Sequence, residues 1–358
     1  MRHEPKSAAS CVGPAKALAL LALALAGPAR AAGKTALDVH CHLACLPTEK
    51  NECYVSSALL HSWKYKVYLK FLGVTEKEMR DTESRVVADR VSAQIAASSE
   101  VAKAVVLALD GAVKNGVLDK EASEVYIPNE FVWAEVQRHP NLLFGASVNP
   151  YRSDALERLR WAKEHGAVLI KWIPSVMGID PADPALAPFY RKLVEYKLPL
   201  LVHTGAERTF TRSKDELCDP ARLAYPLSLG VTVIAAHLAS TGSTDGEKNF
   251  ARLLPLFSKY PRLYADISAT TQFNRIGFLK KALKEKSLHG RLVYGTDWPL
   301  QSFPIVSPWY HLGTIGAGDV MEVKRIKNVW DRDVALKRAM GMPEEILQEG
   351  WGVLSLKP

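Results

Sequence analysis

The chain has 358 residues, 48% of them hydrophobic and 23% charged, a balance near the globular average that excludes a disordered chain, a coiled coil and a multi-span membrane protein. Its formal net charge is +8, but Lys and Arg are scattered along the chain, so there is no nucleic-acid footprint, only a modest pull on anionic small molecules. The length suits one large α/β unit, since α/β barrels run to roughly 250 residues or more as a single domain.

At the amino terminus, Arg2 and Lys6 precede an apolar run over residues 17–26, followed by Gly27, Pro28 and the triplet Ala29-Arg30-Ala31. This order predicts a secretory signal peptide over residues 1–31, cleaved after Ala31. The run is shorter than the roughly 20 apolar residues that cross a bilayer; an uncleaved anchor is the alternative. Cleavage lowers the net charge to +5 and leaves residues 32–358 as one exported domain, periplasmic or secreted, with no stable membrane anchor. Cys11 leaves with the leader, and Cys41, Cys45, Cys53 and Cys218 then face an oxidising compartment. A Cys45–Cys53 bridge is one expectation; free, buried cysteines acting as small apolar side chains are the other.

From Thr35 onward, short β-type apolar runs alternate with amphipathic helical stretches. Eight such runs occur, over residues 37–43, 102–109, 142–148, 167–173, 200–203, 231–237, 263–267 and 292–296. Eight βα units predict a (β/α)8 TIM-type barrel. Among the helices, Asp183-Pro184 supplies a cap and a proline at the first helical position, with Leu186, Phe189, Leu193 and Tyr196 as a stripe. Leu156, Leu159 and Ala162 line another helix, which stops at Gly166.

Two segments exceed the minimal repeat. Residues 45–101 form a helical insertion after the first strand, on the side of a barrel where active sites sit, and so are read either as a lid or as a decoration packed through Leu60, Trp63, Val67 and Phe71. Residues 301–358 add carboxy-terminal helices, notably over 332–340 and 344–351, that complete the outer ring.

The first strand reads Leu37-Asp38-Val39-His40-Cys41-His42-Leu43. Strict alternation places Asp38, His40 and His42 on one face, toward the barrel axis, and Leu37, Val39, Cys41 and Leu43 on the other. Buried imidazoles two residues apart can converge on one metal ion. Later runs also end in ionisable residues: Lys171, His203, His237, Asp266 and Asp297. In a barrel these ends meet at one mouth. The remaining histidines, His61, His139, His165, His289 and His311, are read as surface residues.

The motifs Asp38-Val39-His40-Cys41-His42, Leu201-Val202-His203-Thr204-Gly205, Ala235-Ala236-His237 and Gly295-Thr296-Asp297-Trp298-Pro299, with the tail Asp331-Arg332-Asp333-Val334-Ala335-Leu336, resemble the amidohydrolase superfamily over residues 37–356. They are most similar to its amidohydrolase-related branch, which holds aminocarboxymuconate-semialdehyde decarboxylase, resorcylate-type decarboxylases and lactone hydrolases. The resemblance implies that His40, His42, His203 and Asp297 hold one divalent ion, with zinc expected; neutral imidazoles plus a carboxylate suit such a borderline ion and leave a position for water. Asp38 and Asp266 support these ligands from behind. Lys171 is left with three roles: a carboxylated bridge to a second metal, a substrate contact, or a structural ion pair with Asp266.

The resemblance further implies metal-activated water as nucleophile, Asp297 as its proton acceptor and His237 as the group that polarises a substrate carbonyl. The expected substrate is a small ester, lactone or amide bearing a carboxylate. Non-oxidative decarboxylation of an unsaturated or aromatic acid on the same site is the alternative, and a non-catalytic binding barrel a third reading. The partner is thus a small molecule; self-association stays open.

Overall fold

The computed structural model describes Met1 and residues 33–302 and 304–358; the rest of the leader, with Cys11, lies outside the described residues. Residues 34–358 make one compact unit. Its main sheet has eight parallel strands in chain order, β1 (Ala36–His42), β2 (Val101–Leu107), β3 (Leu142–Ala146), β4 (Leu169–Trp172), β5 (Leu200–His203), β6 (Val233–Ala236), β7 (Leu263–Asp266) and β8 (Leu292–Val293), with helices between them. Among the described residues no helix is long and apolar enough to cross a membrane.

The sheet curls so that β8 meets β1. Val39 N donates to Tyr294 O at 3.0 Å, Asp297 N to His40 O at 2.8 Å and His42 N to Trp298 O at 2.9 Å. Asp38 completes this seam: its carboxylate accepts from Thr296 N (3.0 Å), Thr296 Oγ1 (2.6 Å), His40 N (3.0 Å) and the Trp330 indole (2.8 Å). Burial pushes the Asp38 carboxyl up to about 6 in spite of these donors.

The expected alternation along β1 does not hold. Leu37 and Val39 pack with Val105, Leu107, Leu169, Leu201, Ile234, Ala236 and Val293, the apolar filling of the barrel, whereas Cys41 and Leu43 pack with the surrounding helices. Asp38 shares neither direction with His40 and His42, since it reaches Trp330 on an outer helix. The cause is a bulge: Asp38 pairs with Ala104 but Cys41 pairs with Val106, so three steps on β1 match two on β2. An extra residue reverses the facing of everything beyond it.

The barrel floor is sealed by the last helix, Glu345–Val353. Its Ile346 O accepts from Tyr294 N at 3.1 Å, and Trp351 joins the apolar filling. Gly350 sits where a Cβ would come within 2.8 Å of Val39 Cγ1, so only glycine allows this approach without displacement. The tail therefore plugs the barrel end as well as covering its flank.

The outer helices follow their apolar stripes with two exceptions. In Ala187–Tyr196 the buried set includes Phe189 and Leu193, as expected, but in Ala155–Glu164 Leu159 and Ala162 are buried while Leu156 is 44% exposed. The insertion contributes helices Ser57–Leu60, Trp63–Leu72, Glu76–Asp81 and Arg85–Ala97. Trp63, placed on the packed stripe from the sequence, is 74% exposed; Leu59 and Leu72 are buried instead. The insertion is pinned by a two-residue ladder of Tyr54–Val55 against Val125–Tyr126, by Lys64 and Tyr68 donating to Thr209 O, and by a Cys45–Cys53 disulfide. Cys41 and Cys218 are free and buried.

Candidate metal centre

The polar side chains gather at the carboxy-terminal ends of the strands. β1 brings His40 and His42, whose Nε2 atoms lie 3.1 Å apart, and Asp297 Oδ1 stands 3.5 Å and 3.2 Å from them. β5 ends in His203, whose ring centre is 5.1 Å from that of His237 at the end of β6. His237 in turn stacks on His40 at 5.0 Å. His40, His237 and Asp297 place one ligand atom each within 4.8 Å of one another.

Backbone strain helps to aim these groups. His237 has φ +58° and Asp297 φ +62°, a left-handed region that costs a non-glycine residue of order 1–3 kcal/mol. Both are held there by hydrogen bonds to the rest of the site: His237 N donates to Asp266 Oδ1 at 2.8 Å, and Asp297 N to His40 O.

Hydrogen bonding also fixes the tautomers. Asp266 Oδ2 accepts from His40 Nδ1 at 2.7 Å, so the neutral ring carries its proton on Nδ1 and turns the Nε2 lone pair inward. Ser268 Oγ lies 2.5 Å from Asp266 Oδ1 and 2.7 Å from His237 Nδ1. The single hydroxyl proton goes to the carboxylate, so the serine oxygen accepts from His237 Nδ1–H. His237 Nε2 then presents a lone pair, 4.0 Å from Asp297 Oδ2. The expectation that His237 donates to a carbonyl thus fits only its protonated form; the neutral ring is a base or a ligand.

Burial keeps the imidazoles uncharged. It pushes His40 down to about 4 and holds His203 and His237 below their usual values. Burial opposes ionisation of Asp297 and Asp266, but attraction to the surrounding imidazoles in their protonated forms, with the hydrogen bonds from His42 to Asp297 and from His40 and Ser268 to Asp266, outweighs it and holds both carboxyls well below the usual range.

These donors fit a divalent cation. His203 Nε2 is buried with no hydrogen-bond partner, and the inward Nε2 of His40 faces Nε2 of His42. Inward lone pairs beside a carboxylate are mutually repulsive until a cation lies among them. The four residues expected as ligands are brought together here, and His237 lies among them, not apart. Lys171 Nζ lies 3.0 Å from His40 Nε2, and burial lowers its amine to about 8. It makes no ion pair with Asp266, whose oxygens are taken by His40, His237 and Ser268.

Two further site residues escaped sequence reading. Glu207, four residues after His203, lies 3.4 Å from His203 Nε2, and Ser268, two residues after Asp266, links Asp266 to His237. Their positions just past strand ends were the available signal. His311, read as a surface residue, is fully buried and bonds Thr271 O at 2.8 Å.

Above the cluster opens a cavity of about 230 Å³. His42, Lys171, His203, His237 and Asp297 form its floor, and Leu59, Leu69, Leu72 and Met79 of the insertion form much of its wall. The insertion is therefore a wall of the site. A chamber this size, just under the ~300–1,000 Å³ of drug-sized pockets, suits a small molecule.

A family model described as amidohydrolase matches residues 37–317. No curated protein sequence matches the chain. Among solved structures, an amidohydrolase from Burkholderia multivorans with bound HEPES is 10% identical, with 90% of this chain and 100% of that one covered and a TM-score of 0.52. An uncharacterized TIM-barrel protein from Bordetella bronchiseptica is 14% identical, with 88% and 99% covered and a TM-score of 0.50. A probable 2-pyrone-4,6-dicarboxylic acid hydrolase from Acinetobacter baumannii, with citric acid bound, is 15% identical, with 90% and 100% covered and a TM-score of 0.49. At these identities the likeness concerns the barrel fold.

Proposed function

The chain belongs to the amidohydrolase family, and from that premise we propose that it is an exported, metal-dependent hydrolase of a small ester, lactone or amide that carries a carboxylate. The observation that carries this reading is the convergence of His40, His42, His203 and Asp297 beneath a largely apolar chamber, with the buried His203 Nε2 making no hydrogen bond. These four residues would hold one divalent ion, zinc by the chemistry of the donor set. When bound, the ion supplies Lewis acidity toward a carbonyl oxygen and lowers the pKa of water.

The remaining work falls to the protein. Asp297, beside His42 and His40, takes the proton of the attacking water. His237 Nε2, 4.0 Å from Asp297 Oδ2, receives it, and the resulting imidazolium offsets the negative charge that develops on the carbonyl oxygen before the proton passes to the leaving group. Asp266 and Ser268 hold the His40 and His237 rings in place throughout. The apolar wall lowers the local dielectric, which strengthens each of these charge interactions.

Export rests on the leader read from residues 1–31 and is supported by the Cys45–Cys53 disulfide in the chamber wall, a bond that persists in oxidising compartments. The deciding experiment assays metal-loaded protein against lactones, esters, amides and aromatic acids, scoring hydrolysis and released carbon dioxide separately. Hydrolysis of at least one lactone, ester or amide supports the reading; carbon dioxide release alone replaces it with decarboxylation.

A further inference from the structure

Arg275 follows β7 in a loop that contributes Gln272, Asn274 and Arg275 to the cavity lining. Its Nη1 donates to Ala269 O at 2.7 Å, while its Nε is buried without a hydrogen-bond partner among the described residues. The carboxylates whose charge reaches it are engaged elsewhere. Asp297 lies against His42 at 3.2 Å, Glu207 against His203 at 3.4 Å and Asp266 against His40 at 2.7 Å. A guanidinium facing a low-dielectric chamber with an unmade hydrogen bond and no anion of its own is costly, and the planar fork is the geometry that receives a carboxylate.

The insertion gives the same chamber a lining of another chemistry. Leu59, Leu69, Leu72 and Met79 from the insertion, with Ile127, are apolar, and the insertion's polar lining is the phenols Tyr65 and Tyr68, which burial keeps protonated. From this polarity the structure assigns Arg275 as the anion anchor of an amphiphilic ligand, a carboxylate at one end and an apolar alkyl or aryl body against the insertion wall at the other. The assignment rests on reading the chamber as the substrate site of the proposed hydrolase and names its substrate class. It makes Arg275 a specificity residue, outside the proton-transfer chemistry.

The test is calorimetric titration of the full-length, metal-loaded protein with 4-butylbenzoate and with its neutral counterpart 4-butylbenzamide. The unaltered protein should bind the acid roughly tenfold or more tightly than the amide, the scale of a charge-assisted hydrogen bond. Arg275→Gln should abolish that preference while leaving the amide affinity within about twofold, since only the charged partner is lost. Leu69→Asn should weaken both probes alike. Should Arg275→Gln fail to fold, Arg275→Lys replaces it, and there the preference should shrink severalfold without vanishing, because the charge remains but the fork does not. Equal affinity for acid and amide, no binding of either at millimolar concentration, or a preference that survives Arg275→Gln, which would put the anion on the metal, overturns the assignment. Because binding is read without turnover, failure of the hydrolytic reading leaves this result standing or falling separately.

Discussion

Nδ1 of His40 donates to Oδ2 of Asp266 across 2.7 Å, joining the first strand of the barrel to the seventh. The bond decides which nitrogen of His40 faces the chamber, and the same carboxylate, through its other oxygen, accepts from His237 N and from Ser268. One aspartate thus orients two of the histidines.

Asp266→Asn should therefore weaken metal binding about 10- to 100-fold, the usual effect of losing the carboxylate behind a ligating histidine, without dismantling the barrel. Competition with a chromophoric chelator measures the affinity. An unchanged value would mean that His40 is not a ligand through Nε2.

Asp297→Asn and His237→Asn should each cut turnover at least about 100-fold, the lower range for a lost acid–base group. They should differ in metal content: Asp297→Asn loses part of its metal, while His237→Asn keeps it. Elemental analysis beside turnover on the best substrate of the panel separates the roles. Loss of metal from His237→Asn with full metal in Asp297→Asn would move the sixth-strand histidine into the ligand set.

Asp38→Ala should destabilise the fold by about 2–5 kcal/mol, because the Thr296 and His40 amides and the Trp330 indole would be left buried and unpaired. Urea denaturation near neutral pH gives the size. The pH dependence has a definite sign. The folded-state value of about 6 lies above the unfolded carboxyl near 4, so this group contributes most below pH 4, and its contribution falls as the pH rises toward 6. The variant should lack that slope; an identical slope in both proteins would assign it to other groups.

The barrel was legible in the sequence because eight short apolar runs alternate with amphipathic helical stretches, and its mouth because several runs end in an ionisable residue, as in Leu201-Val202-His203 and Tyr264-Ala265-Asp266. Strict alternation failed on β1, where the bulge between Asp38 and Cys41 depends on register against β2, which the local sequence does not carry. Trp63 and Leu156 misled for a related reason: a helical stripe identifies an apolar face, but the neighbour it meets decides which part of that face is covered. The ligand candidates stood out as ionisable groups on apolar strands. Glu207, Ser268 and Arg275 did not, since they lie on loops where polar residues are ordinary and only the folded chain shows what they touch.

A leader cleaved after Ala31 makes the mature chain begin at Ala32. Amino-terminal sequencing of the native protein should read Ala-Gly-Lys-Thr; an intact Met1 in a soluble cytoplasmic fraction would refute export.

Elemental analysis of protein produced and purified without chelator decides whether the metal centre is preorganised. About one equivalent of a divalent transition metal per chain is expected, held by donors from three strand ends. Less than about a tenth of an equivalent, with no uptake when zinc is added, would contradict it, since donors as strongly converged as these should capture the ion at low concentration.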